Sequence, residues 1–172
     1  MDRRHKAGHP SIFRGEIADL VGRWTADDAV EVLDAGGHLL GRGHYNPRTS
    51  LACRLLTRLD EPIDQAFFLR RLEAALHYRR SAGPLSDAYR LCWSEADGLP
   101  GLVVDRYGPV SVVQCLTLGM TRVEADVVAS IESLFPGGSV YRLDDPTAAR
   151  IEGFEAQHGW RGNPRPSDFV VA

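Results

Sequence analysis

One stretch near the middle of the chain, residues 94–108 (SEADGLPGLVVDRYG), limits the possible folds more than any other. Two turn dipeptides, Asp97-Gly98 and Pro100-Gly101, precede a β-branched apolar run at residues 102–104. β-favouring residues lie on both sides, at 89–93 and 110–116, and a Tyr-Gly-Pro turn separates the last two runs. The pattern predicts three consecutive strands in a meander.

Three carboxylates of this stretch are candidates for metal binding or catalysis. Glu95, Asp97 and Asp105 could hold a metal ion or perform acid–base chemistry, but their spacing does not match a calcium-binding loop. Asp before Gly stabilises a turn by hydrogen bonding to its own backbone, and Asp105-Arg106 is typical of a surface ion pair. The sequence favours turn-forming roles, with a small hydrolase using these carboxylates as an alternative.

Cysteine usage and hydropathy indicate the cellular setting. Cys53, Cys92 and Cys115 each lie within an apolar strand pattern and lack the CxxC spacing of a metal site, so we expect small buried hydrophobes. An odd number of cysteines without a signal peptide favours a reducing cytoplasm. No apolar run approaches the ~20 residues of a membrane span. The prediction is a cytoplasmic protein with no membrane association and no metal site.

The first third of the chain has the pattern of a small β module. After a tail at residues 1–8, strand patterns occur at 30–33, 38–45 and 48–59, with an Asp-Ala-Gly-Gly turn after the first. Several short strands with little helix predict a β-barrel-like module over residues 9–60. Residues 1–59 carry nine Lys and Arg against seven Asp and Glu, whereas residues 60–172 carry eleven against sixteen, so +2 and −5 give the net charge of −3. An RNA-binding surface is therefore expected on the first module.

The candidate RNA-binding residues combine guanidinium groups with planar rings. Arginine can bond phosphate with two parallel hydrogen bonds, and tyrosine or histidine can stack on a base. The alternative is a set of ordinary solvated arginines. The candidates are Arg14, Arg42, His44, Tyr45, Arg48 and Arg54, with Arg58 beside them.

Residues 63–143 predict a second, α+β unit. A break at Pro62 precedes a helix that Asp64 can cap and that ends near residues 81–84. A capping box formed by Thr121 and Glu124 predicts the start of a second helix, and a strand should return at 139–142. The predicted fold class is α+β, with a β-barrel-like module followed by an antiparallel sheet covered by helices. Residues 144–172 are expected to form a connector that ends in a truncated strand at 169–171.

Three motifs resemble one known family in order and spacing. The string E-x-DGLPGL-x-VDRYG at residues 95–108 is similar to the central-domain motif of RlmI-like SAM-dependent methyltransferases, which modify a cytosine of large-subunit ribosomal RNA. Residues 9–15 (HPSIFRG) are similar to that family's opening HPWIF-x-G, and residues 41–47 (GRGHYNP) to the RG-x-Y-x-P segment of its PUA domain. Ser11 stands where the family has tryptophan.

The resemblance implies a PUA domain followed by a central domain, with 23S rRNA as the partner and no DNA binding. In the full-length family S-adenosyl-L-methionine is held by a C-terminal Rossmann-like domain, which would follow Ala172. The chain has no Gly-rich turn between a strand and a helix. We therefore expect no Rossmann SAM domain, no cofactor and no catalytic residue in this chain. It would be the RNA-recognition portion of the enzyme, catalytically incomplete, and would associate with a methyltransferase domain or with itself. The alternative is a stand-alone PUA-type RNA-binding adaptor.

Overall fold

The computed structural model describes residues 9–22 and 29–162. Its first sheet contains β1 (Ser11–Phe13), β2 (Ala29–Leu33), β3 (Leu39–Tyr45) and β4 (Leu51–Thr57), in the order β1-β4-β3-β2 with every neighbouring pair antiparallel. The predicted hairpin between β2 and β3 is confirmed. Its turn is held by the Asp34 carboxylate, which accepts from the amides of Gly36 at 2.8 Å and His38 at 3.0 Å.

The first sheet differs from the expected barrel. Within residues 9–22 and 29–162, β1 and β2 lie at opposite edges and do not pair, so the sheet is open. A small apolar cluster of Ile12, Cys53 and Leu55 lies on one side, with Val30 and Val32 packed against it. This sheet with its loops is called the first module below.

The second sheet is larger and mixed. A helix, α1 (Gln65–Ser81), precedes β5 (Ala88–Trp93), β6 (Leu102–Tyr107) and β7 (Val110–Cys115), and the predicted meander is confirmed. The chain continues through α2 (Leu118–Arg122), α3 (Glu124–Leu134), β8 (Ser139–Leu143), α4 (Pro146–Glu152) and β9 (His158–Arg161). The strands follow the order β5-β6-β7-β8-β9. The part from α1 to β9 is called the second module.

The expectation of a fully antiparallel sheet is wrong at one pair. β7 and β8 are parallel, with Val110 opposite Ser139 and Val112 opposite Tyr141. The physical reason is the helical connection between them, because a crossover returns the chain to the end of the sheet at which β7 began.

The main core lies between this sheet and two helices. Side chains of α1 and α3 pack on the sheet face that carries Leu91, Leu102, Val104, Val113 and Val140. α1 begins where predicted, because the Asp64 carboxylate accepts from the Phe67 amide at 3.0 Å. Within the described ranges, no helix has both the length and the apolar composition needed to cross a bilayer.

The capping box predicted at Thr121 and Glu124 is wrong. The Thr121 hydroxyl donates to the Leu118 carbonyl at 2.7 Å, inside α2. α2 is instead capped by Thr117, and α3 begins at Glu124 with no side-chain cap on its preceding residue. Glu124 is used elsewhere, because its carboxylate accepts from Arg142 and, at 2.5 Å, from Arg161.

The region expected to be a connector extends the second sheet. α4 is followed by β9, which pairs with β8 from Val140–Arg161 to Leu143–His158, so the sheet continues past the predicted boundary at residue 143. β9 has only four residues and overlaps a stretch, residues 159–166, whose glycines and prolines indicate turns, so its periodicity is too short to be recognised in the sequence. The strand predicted at residues 169–171 and the tail at 1–8 lie outside the described residues.

Candidate nucleic-acid interface

The candidate RNA-binding residues cluster around β3 and β4. Arg42, His44 and Tyr45 lie on β3, Arg54 lies on β4 directly opposite His44, and Arg48 is in the connecting loop. Arg14 follows β1 and reaches the same loop by donating to the carbonyls of Pro47 and, at 3.0 Å, Thr49. The first module therefore brings the candidates together, but their side chains have different environments.

Three arginines of the first module carry an exposed, uncompensated charge. Arg14, Arg48 and Arg58 are exposed, and no carboxylate within residues 9–22 and 29–162 forms an ion pair with any of them. Arg58 only donates to the His9 carbonyl, at 3.1 Å. Their guanidinium groups can bond phosphate oxygens without first breaking an ion pair.

Arg42 is less available for phosphate binding than these three arginines, because it is already paired. Its guanidinium lies 3.2 Å from Glu31 and 3.5 Å from Asp60, and it also donates to the Glu61 carbonyl at 2.9 Å. Tyr45, from the same strand, is half-buried against the small apolar cluster. Phosphate binding by Arg42 would compete with two carboxylates.

His44 is buried, which corrects its expected place on the exposed surface. Only 9% of the residue is accessible, and a Cβ atom added at Gly119 would lie 2.3 Å from the His44 side chain. Burial lowers the pKa of His44 to about 4, with a smaller contribution from the Arg54 charge. The imidazole is therefore neutral near pH 7 and is held between β3 and α2, where it cannot stack on a base.

Arg54 belongs to a buried polar cluster that joins the two modules. Its guanidinium donates to Glu152 Oε1 at 2.7 Å, and Glu152 is only 4% accessible. Asn46 Nδ2 donates to the Glu152 backbone carbonyl at 2.8 Å and to Oε2 at 2.9 Å, while the Leu118 amide donates to Oε2 at 3.3 Å. Arg54 therefore neutralises a buried carboxylate from α4.

The sequence offered only a weak signal for this cluster. Asn46 lies in the GRGHYNP segment, and its Oδ1 accepts from the Arg48 amide at 2.9 Å, as Asn commonly does in turns. Glu152 lies 106 residues further along the chain, and no local pattern connects the two. Arg48 also touches this region, because its side chain packs against Gly153.

The three carboxylates considered for hydrolysis are bonded within the structure. Asp97 accepts from Arg79 at 2.5 and 2.6 Å and from the Trp93 amide at 2.6 Å. Asp105 accepts from Arg90 at 2.7 and 2.9 Å, and Glu95 from the Ser94 hydroxyl at 2.5 Å. The turn-forming interpretation is supported for Asp97, whose loop includes Gly98 and Gly101 at φ values of 69° and 87°.

The predicted surface pair of Asp105 and Arg106 does not form. Adjacent residues of a strand point to opposite faces. Asp105 therefore meets Arg90, whereas Arg106 is buried, lies 3.9 Å from the Phe135 ring centroid and donates to Ser111 Oγ at 2.7 Å.

The described part of the chain contains neither a cluster of metal ligands nor a reactive thiol. No group of three or more His, Cys, Asp or Glu residues there could hold a metal ion. Cys53, Cys92 and Cys115 are buried and free, as expected, and burial raises the pKa of each thiol to about 12. Such thiols are protonated at neutral pH and are poor nucleophiles.

Comparisons with known proteins agree with this architecture. Residues 1–58 match the family model of a PUA-like domain. The chain is homologous to ribosomal RNA large subunit methyltransferase I, with 39% identity to the Alteromonas mediterranea protein over 99% of this chain. Identity to the Klebsiella pneumoniae protein is 35% over 88% of this chain. The chain spans only 44% and 38% of the lengths of these two relatives.

Solved structures show a similar fold. SMU.776, assigned as a methyltransferase and crystallised with SAH, superposes with a TM-score of 0.75 at 16% identity, over 97% of this chain and 42% of that protein. A Streptococcus mutans protein assigned as a SAM-dependent methyltransferase gives a TM-score of 0.74 over 98% of this chain and 43% of its own. Methyltransferase neighbours lend no support to the expectation that this chain lacks a SAM-binding domain and a cofactor, and both expectations stay predictions.

Proposed function

We propose that this chain is the RNA-recognition portion of a large-subunit rRNA methyltransferase acting on a cytosine of 23S rRNA. The observation that carries the proposal is the homology to ribosomal RNA large subunit methyltransferase I along nearly the whole chain. The PUA-like match over residues 1–58 supports placing recognition on the first module. The chain would be catalytically incomplete and would act with a methyltransferase domain that binds SAM.

The structure supports a narrower set of RNA-binding residues than the sequence alone. Arg14 and Arg48 keep the role proposed for them, and Arg58 joins them, because all three are exposed without a carboxylate partner among the described residues. Arg42 and Tyr45 would contribute at the edge of this surface. His44 and Arg54 would act indirectly, by fixing β3 and β4 against the second module.

A salt titration tests the proposal. A hairpin from 23S rRNA is titrated with the purified chain at several salt concentrations, and we expect the affinity to fall as salt rises, because phosphate-bound cations are released on binding. The variant R48A/R58A should bind more weakly and show a shallower salt slope, reduced by roughly one to two ion equivalents.

The matched control removes the same charge elsewhere. R80A/R150A deletes two exposed arginines of the second module and should leave both affinity and slope unchanged. Equal weakening by both double variants would contradict a localised surface. Absence of binding at low salt would contradict RNA recognition by this chain. If the chain binds RNA but a SAM-domain protein neither associates with it nor gains activity, the stand-alone adaptor becomes the better description.

A further inference from the structure

The second sheet has a face that the long helices do not use. In β6, Leu102 and Val104 point into the helix-covered core, so Val103, Asp105 and Tyr107 point to the opposite side. Their partners on the edge strand β5 are Trp93, Arg90 and Ala88. This edge, formed by Trp93, Arg90, Asp105 and Tyr107, is called the aromatic edge below.

Two large rings on the aromatic edge are exposed to solvent. Trp93 is 50% accessible and Tyr107 is 45% accessible. A shallow, open depression of about 300 Å³, lined by Ala88, Tyr89, Arg90, Asp105 and Tyr107, lies beside the tyrosine. Exposing two aromatic rings on one short stretch of sheet is unfavourable for folding alone, since each loses the stabilisation of burial.

A third planar group lies over the Trp93 ring and is held in place by a carboxylate. The Arg90 guanidinium lies 4.2 Å from the Trp93 ring centroid and donates two hydrogen bonds to Asp105. The paired carboxylate fixes the plane of the guanidinium and cancels its charge. Little side-chain entropy remains to be lost when a flat ligand is placed on this group.

We propose that the aromatic edge binds unpaired bases of a single-stranded RNA segment by stacking, with Trp93 as the main platform. This proposal rests on the proposed function, because it adds a second contact to RNA recognition by the same chain. Aromatic rings and arginine planes are the groups on which proteins stack single-stranded bases. The neutral Arg90–Asp105 pair favours base faces over phosphates, which distinguishes this edge from the basic surface of Arg14, Arg48 and Arg58.

Binding of a short, unstructured oligoribonucleotide tests the assignment. We expect W93A to raise Kd roughly ten-fold, and Y107A to raise it by a smaller factor, in line with the stacking contribution of one base. W93F should bind nearly as well as the unchanged chain, because a phenyl ring still stacks. The slope of log Kd against log salt should be the same for W93A and the unchanged chain, since no phosphate contact is lost.

Two further readouts make the test specific. Y78A removes another exposed aromatic ring, 69% accessible on α1, and should leave Kd unchanged. RNA should quench the intrinsic fluorescence of the unchanged chain, and this quenching should be much weaker in W93F although W93F still binds.

The outcomes separate this inference from the proposed function. RNA binding that depends on Arg48 and Arg58 but not on Trp93 overturns the stacking site and leaves the proposed function intact. No RNA binding by the unchanged chain overturns both. If W93A leaves the RNA affinity unchanged and abolishes self-association in light scattering, the aromatic edge is a protein contact and the stacking assignment is wrong.

Discussion

His44 makes the stability of the protein depend on pH. Its pKa of about 4 in the folded chain lies below the ordinary value of 6.5, chiefly because the imidazole is buried and secondarily because Arg54 is near. As pH falls through 6.5 the unfolded chain gains a proton that the folded chain does not. The free energy of unfolding should therefore decrease by roughly 3 kcal/mol between pH 6.5 and 4, with no further loss from this group below that range.

Chemical denaturation at a series of pH values checks this expectation. The difference in unfolding free energy between the unchanged chain and H44Q should show the decrease, because titrations of all other groups cancel. H77Q replaces an exposed histidine and serves as the control. Parallel pH profiles for the unchanged chain and H44Q would show that His44 does not carry the effect.

The role of a single residue could be predicted where that role depends on its near neighbours in the sequence. Asp64 as a helix cap and the cysteines as buried hydrophobes needed only local patterns. The burial of His44 and the pairing of Arg54 with Glu152 depend on contacts between distant segments, and a residue type alone does not reveal them. The RNA-binding roles of Arg14, Arg42, Tyr45 and Arg48 stay predictions.

Asp97 and Asp105, both within residues 94–108, each pair with an arginine of another element, and the two ion pairs should contribute differently to stability. Asp97 links α1 to the loop after β5 through a buried pair, in which 8% of the Asp97 side chain and 18% of the Arg79 side chain are accessible. D97N leaves Arg79 without its charged partner and should lower the free energy of unfolding by about 3 kcal/mol. D105N, whose Arg90 partner is 42% accessible, should change it by less than about 1 kcal/mol.

Urea denaturation of both variants under one condition checks the ranking. D105N removes the same charge from another aspartate that pairs with an arginine, so it is the matched control for D97N. Equal effects would mean that burial does not decide how much these ion pairs contribute to stability.

A separate activity assay tests the hydrolase alternative, which would be supported by a metal-dependent activity that D97A abolishes.

The first turn of α1 depends on one carboxylate. Asp64 accepts from the Phe67 amide, and D64A should lower the free energy of unfolding by about 1 kcal/mol, whereas D64S should restore most of the loss. Thermal and urea denaturation of the two variants measure this difference. A D64S protein as unstable as D64A would indicate that charge, rather than capping geometry, matters at this position.

Elements were predictable where periodicity and turn residues agree. α1, the β2–β3 hairpin and the β5–β6–β7 meander each have strong local signals at both ends. The direction of β8 does not follow from its residues, because a parallel and an antiparallel strand have the same apolar pattern. The Thr121–Glu124 spacing is that of a capping box, but Glu124 is used by Arg142 and Arg161 and α2 already occupies Thr121.

Within residues 9–22 and 29–162 there are two apolar clusters, and a polar contact links the modules that contain them. The larger cluster fills the second module and includes Leu56 from β4, whereas the smaller one lies beside the first sheet. Glu152 connects the modules by accepting from Arg54, Asn46 and the Leu118 amide. Because the exposed arginines and the aromatic edge belong to different modules, this contact, together with the packing of Leu56 and His44, fixes the relative position of the two proposed RNA contacts.

Replacing Glu152 should therefore uncouple the modules. E152A leaves the Arg54 guanidinium, whose side chain is 16% accessible, without its carboxylate and should lower the free energy of unfolding by about 3 kcal/mol. Since each module keeps its own cluster, amides of β3 and β4 should exchange hydrogen faster in E152A than those of β6 and β7, whereas in the unchanged chain we expect the amides of both sheets to exchange together. The control E155A removes a nearby exposed carboxylate and should have an effect within about 0.5 kcal/mol. If E152A accelerates exchange equally in both sheets, the modules form one cooperative unit, and the larger cluster that includes Leu56, rather than the polar contact, joins them.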